Sequence, residues 1–248
     1  MYQMSRATVA GLLIQQGKVM TTQLREVMPE LFSRSEILIW NFTEITEADE
    51  HKNIQQYMAE KEQREQNPRD AFNRQEFNET VLNKTDARYL IGRYGEDRID
   101  ILRGSHIADQ GRTYHLAIDI FSRNEEPVYA PCDGQIIVSA YEPGLHNYGN
   151  YLIFQTEDSS LPYIFFGHLA NNRHKTGPVK AGDQIGQLGS FKDLENGGWS
   201  IHLHLQLLSE LPPEGEAPIG YSTLANLAEN KLCFPDPQSI FPEWKVKR

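Results

Sequence analysis

From Arg88 onward the chain is a succession of short apolar runs, and this texture limits the fold more than any other feature. "YLIGRYGEDRIDIL", "HLAIDIF", "EPVYAPCDGQIIVSAY", "GNYLIFQT", "PYIFFGHL", "DQIGQLG" and "SIHLHLQLL" are rich in Val, Ile, Tyr and Phe. Gly, Pro, Asn and Asp separate them at strand-and-turn intervals, which predicts mainly antiparallel β structure with many turns. Asp133-Gly134 reads as a hairpin turn. Gly182, Gly186 and Gly189 read as turn and close-approach glycines, because no strand–glycine loop–helix context for phosphate surrounds them.

The flanks differ. "ATVAGLLIQQ" and "TTQLREVMPELF" carry apolar residues near helical spacing, "EILIWNF" reads as a strand, and Thr46 with Asp49 caps a charged helix that ends near Pro68. The fold class predicted is mainly β, α+β overall. A compact antiparallel sandwich or barrel-like domain is expected over 88–212, a helical segment with one strand over 1–87, and a Pro-rich tail packed on the domain over 213–248.

A net charge of −10 and a pI near 5.3 argue against nucleic acid or an anionic membrane as partner. No stretch approaches the ~20 apolar residues of a membrane span. The run Val9–Ile14 is shorter than the ~7–15 residues of a signal-peptide core. The expectation is a cytoplasmic protein, with Cys132 and Cys233 as free thiols.

Within "SIHLHLQLL", strand alternation puts His202 and His204 on one face and Leu203, Leu205 and Leu207 on the other. Two further segments offer partners. His115 and Asp119 stand in an H-x-x-x-D spacing, and His168 closes an apolar strand where an unpaired imidazole would be costly. Asp109 and Asp133 sit in turn-like sequence where Asp is expected anyway. A catalytic zinc takes three protein ligands and keeps a position for water, so this set supplies one divalent metal ion with a histidine to spare. Spacing alone does not say which imidazoles bind. Trp199 reads as a packing residue. His106, His146 and His174 read as solvated, with His106 and His146 within range of a cleft.

In order, "HLAID", "VYAPCDGQII", "YGNY", "FFGHL", "VKAGDQIGQLG" and "IHLHL" resemble the motif series of the lysostaphin/LytM-like metallopeptidases. The resemblance covers roughly residues 88–210. "YLIGRYGEDR" and "NGGWSIHLHLQL" are similar to the branch found inside larger intracellular chains beside phosphotransferase-like and aminotransferase-like domains.

The resemblance implies His115, Asp119 and His204 as metal ligands, most simply of zinc, with His168 and His202 as the catalytic pair. It implies a hydrolase acting on a peptide or small amide, in Gly- or D-amino-acid-containing substrates. Two positions depart from the family pattern: Ala117 stands for glycine and Phe166 for tyrosine. Both are expected to alter the surroundings of the metal and to slow or narrow turnover. The alternative is a weak or inactive metal-binding interaction module on the same fold.

Overall fold

In the computed structural model, residues 27–29, 37–40, 88–102, 105–157, 162–171, 175–190 and 194–240 are described. The alternating runs form an eight-stranded sheet. In chain order its strands are β1 (Ile37–Trp40), β2 (Tyr89–Gly92), β4 (Ile118–Phe121), β6 (Gly134–Glu142), β7 (Gly149–Thr156), β8 (Tyr163–Leu169), β9 (Gly177–Val179) and β11 (His202–Leu208). The spatial order is β1-β2-β4-β11-β8-β7-β6-β9. Every neighbouring pair is antiparallel except β1 with β2. The sheet stays open at β1 and β9, so the architecture is layered rather than a closed barrel.

Two small sheets cover its faces: β5 (Pro127–Tyr129) with β10 (Gln184–Gln187), and β3 (Tyr114–His115) with β12 (Tyr221–Ser222). On one face Leu203, Leu205 and Leu207 join Val128, Ile185, Ile118 and Phe166 in the larger apolar core. On the other, Leu208 and Phe165 pack with Leu116, Cys233 and Phe234, where the helix Leu227–Cys233 arrives from the tail. The alternation expected of β11 is thus observed, and its physical cause is a separate core on each side of the sheet.

The described parts of the first 87 residues share this framework. Ile37–Trp40 adds in register to Tyr89–Gly92, Val27 and Met28 are buried in the larger core, and the Tyr129 N–H donates to Val27 O at 2.9 Å. Residues 27–29 form a bend and turn, not helix. Pro29 explains this, since it disfavours helical backbone at the residue before it. The helix expected between Thr46 and Pro68 lies outside the described residues. Among the described residues, no helix is long and apolar enough to cross a membrane.

The segment at Asp133-Gly134 is not a hairpin. β5 pairs with β10, whereas β6 pairs with β7 and β9, so the chain changes sheets here. Asp133 instead ties down a neighbouring turn, accepting the Ala181 N–H and the Lys180 ammonium, each at 2.9 Å.

Candidate metal centre

Three strands carry the centre. Asp119 on β4 sits directly across from His204 on β11, and His204 sits across from Gly167 on β8. The glycine is needed there: a Cβ at 167 would lie 2.9 Å from the Tyr148 ring and 3.4 Å from His204 Cβ. β3 brings His115 over this row. Its backbone is pinned by Gly95 N–H on His115 O (2.7 Å) and by its own N–H on Glu96 O (3.0 Å).

The fourth imidazole arrives through a β-bulge. Leu152 faces Phe166 and Asn150 faces Leu169, so Gly167 and His168 together oppose Tyr151 alone. His168 adopts φ +62°, and this extra residue re-aims its ring at the site while Phe166 stays with the core. A second loop, 194–199, closes over it. Gly197 allows the approach, since a Cβ there would fall 1.8 Å from Asn147 O at φ +80°.

Each imidazole is anchored by one ring nitrogen. His115 Nδ1 donates to Arg93 O (3.1 Å), His168 Nδ1 to Asn196 O (2.8 Å) and His202 Nδ1 to Ser200 O (2.7 Å). The Gln206 amide is oriented by its donation to Ile219 O (2.9 Å), so its oxygen accepts from His204 Nε2 at 3.2 Å. A carbonyl oxygen only accepts, and these bonds therefore fix the tautomers. His115 Nε2 and His204 Nδ1 are left as lone-pair nitrogens 3.4 Å apart. Both face Asp119 Oδ1, at 3.4 and 3.1 Å, and His202 Nε2 stands 3.7 Å from it.

Three buried acceptors with no hydrogen between them call for a cation. Asp119 Oδ1 is buried and receives no hydrogen bond, and the ligand atoms of His115, Asp119 and His204 all lie within 4.8 Å of one another. Two neutral imidazoles and one carboxylate suit zinc or a similar divalent ion. Backbone carbonyls in this position are the kind of outer partner that orients histidines in metal sites.

Burial, reinforced by the Arg98 charge, lowers His115 to about 3, and burial lowers His202 to about 4. Burial, then the neighbouring His202, holds His168 well below its ordinary value. Burial pushes the Asp119 carboxyl up, but the permanently charged Arg98 guanidinium paired with it holds it well below the usual carboxylate range. At neutral pH the centre therefore presents neutral imidazoles and one ionised carboxylate.

A cavity of about 140 Å³ opens onto His168, His202, His204 and Asp119. Sequence reasoning missed several of its residues. Arg98 is fully buried, pairs with Asp119 Oδ2 and Glu96, and holds a candidate metal ligand in place. Tyr148 and Tyr221 supply the phenol groups in the cavity wall, and Gln206 sets the His204 tautomer. The signal for Gln206 was available, because it shares the face of His202 and His204. Arg98 and Tyr221 come from segments that only the fold brings near.

Two expectations are corrected. Phe166 is fully buried in the larger core beside Leu205, on the face of the sheet away from the ligands, so a missing hydroxyl there takes no donor from the centre. His146 is buried at 8% exposure, φ +69°, with its ring 5.2 Å from Trp199, and is not solvated. Trp199 packs as expected, half-buried against the cluster of Leu102, Ile107 and Tyr221, and also lines the cavity: its indole N–H donates to Asn147 O at 3.1 Å, and its ring lies 5.9 Å from that of His168. His106 is an exposed residue at the same cavity, His174 lies outside the described residues, and Ala117 is buried outside the cavity lining.

An antiparallel sheet thus presents a candidate His–Asp–His metal site, flanked by two further inward-facing imidazoles. Residues 113–213, under half of the chain, match the model of Peptidase family M23, and this part of the chain is similar to the lysostaphin/LytM-like peptidases. Among solved structures, the chain is similar to a zinc-containing peptidase from Vibrio cholerae at 30% identity, covering 39% of this chain and 27% of that one, TM-score 0.33. It is similar to the catalytic domain of the antimicrobial peptidase lysostaphin from Staphylococcus simulans at 25% identity, covering 60% and 96%, TM-score 0.36. A prophage-encoded M23 protein, EnpA, from Enterococcus faecalis matches at 20% identity over 54% and 88%, TM-score 0.37. The chain spans about a quarter of the Vibrio cholerae protein and 47% of a longer lysostaphin chain. No curated protein matches it.

Proposed function

We propose that this protein is a metal-dependent peptidase hydrolysing a peptide or small amide whose residues at the scissile bond are small, as in Gly- or D-amino-acid-containing peptides. The observation that carries this is the inward convergence of lone pairs from His115, Asp119 and His204 beside two more anchored imidazoles. A divalent ion held there, zinc by donor chemistry, would polarise an amide carbonyl and acidify water.

The chain's own residues do the rest. His168 and His202, with ring centroids 4.4 Å apart, each keep one nitrogen on a backbone carbonyl and turn Nε2 to the cavity. From there Nε2 can take a proton and return it to the leaving amine, the work of a general base and acid. The cavity of about 140 Å³ resembles in size one that holds a benzene molecule (~150 Å³), which supports small side chains. Both cysteines are free and buried, which supports a reducing, cytoplasmic setting and recycled wall fragments or another small amide as substrate.

Elemental analysis and peptide hydrolysis together test the assignment. His204→Ala should lose the metal. His168→Ala and His202→Ala should keep it and lose roughly 10²–10⁴-fold in rate. Equal metal in wild type and His204→Ala refutes the ligand set. A metal-loaded wild type that cleaves no Gly- or D-Ala-containing peptide favours the binding-module alternative.

A further inference from the structure

Arg112 lines the cavity of the candidate centre and also a second, larger cavity of about 880 Å³ beside it. The other charged residues of the first cavity are engaged. Arg98 pairs with Asp119 and Glu96, and Glu142 accepts the Tyr148 N–H at 3.0 Å. Among the described residues, the Arg112 guanidinium has no ion pair, and its Nε is buried without a hydrogen bond. A buried N–H with no acceptor is uncommon and calls for one.

The position of Arg112 is set by the same elements that deliver His115. Gly111 turns the chain at φ +67°, the Arg112 N–H donates to Ile107 O at 3.1 Å, and the Thr113 N–H donates to Ser222 O at 3.0 Å. His115 follows three residues later on β3.

Resting on the reading of this cavity as a peptidase site, we infer that Arg112 is a carboxylate-recognising subsite. The peptide bound there carries a carboxylate, from its C-terminus or an acidic side chain, on the guanidinium of Arg112. A planar guanidinium matches a carboxylate with two parallel hydrogen bonds. Glu142 in the first cavity, and Glu210, Glu216 and Glu229 in the second, disfavour a dianion and leave a single negative charge as the better fit.

Titration calorimetry of the metal-loaded full chain tests this with three probes. These are acetyl-Gly-Gly-Gly, its C-terminal amide, and the amide of acetyl-Gly-Glu-Gly. At least one carboxylate probe should bind wild type about 10- to 100-fold more tightly than the uncharged amide. Which carboxylate wins identifies the source. Arg112→Gln should abolish that ratio and leave the affinity of the uncharged amide and the metal content unchanged. Arg112→Lys, which keeps the charge without the fork, should keep part of it. Equal binding of all three probes by wild type overturns the inference, whatever the variants do. So does a ratio that survives Arg112→Gln, which would hand the carboxylate to the metal or to Arg98. Hydrolysis is followed separately. Cleavage without the ratio defeats the subsite alone, and an Arg112-dependent ratio without cleavage defeats only the peptidase reading.

Discussion

Replacing Arg98 by methionine tests how the candidate ligand Asp119 is held. The Arg98, Asp119 and Glu96 side chains are 2–3% exposed, and the guanidinium bridges the two carboxylates while lying 3.3 Å from the Tyr221 hydroxyl. Methionine fills much of the same space but supplies no charge. Glu96 would keep the Arg93 N–H at 3.1 Å. Asp119 would keep only neutral imidazoles, and so would carry an uncompensated buried charge. Removing one partner of a buried pair costs about 3–5 kcal/mol. In a chain of this size that lowers Tm by roughly 6–20 °C. Thermal and urea unfolding of the metal-free protein measure it directly. The loss should shrink in zinc-loaded protein, where a cation again faces the carboxylate. Asp119→Asn in the same background should show coupling above about 1 kcal/mol. A metal-free Arg98→Met within about 1 kcal/mol of wild type would refute the role of Arg98 as the counter-charge that holds Asp119.

Three further outcomes are expected. The metal-free protein should lose stability as pH falls from about 6.5 to about 4: His115 and His202 are held neutral in the fold, mainly by burial, to about 3 and about 4. The unfolded chain binds these protons first, so each histidine adds a slope of about 1.4 kcal/mol per pH unit, and a flat urea midpoint across that window contradicts it. Phe166→Tyr should leave turnover within about twofold, because the ring faces the core; a tenfold gain would return residue 166 to the reaction centre. Alkylation without reductant, followed by mass spectrometry, should find Cys132 and Cys233 both modified after unfolding, and a disulfide would argue against a reducing compartment.

Much of the centre was legible in the sequence because strand geometry is local. A period of two fixes His202 and His204 on one face and three leucines on the other, and the sheet realises that pattern without exception. H-x-x-x-D was legible only as a pair of residue types. Its meaning depends on a break between β3 and β4 that lets His115 fold back over Asp119, while a long-range pairing with Tyr221 holds it there. His168 marks the limit of local reasoning. Regular alternation would put it on the same face as Phe166, and the bulge opposite Tyr151 separates them. A bulge is set by the partner strand's register, which no window of β8 contains. Arg98, Tyr148 and Arg112 escaped for the same reason: each acts through contacts across the fold, and burial and pairing decide which charges are satisfied. The sequence by itself determined the strands, their faces and the ligand types. The tertiary structure decided the tautomers, the orphaned lone pairs and the lack of an ion pair at Arg112 among the described residues, because these depend on which carbonyl or carboxylate each group finally meets.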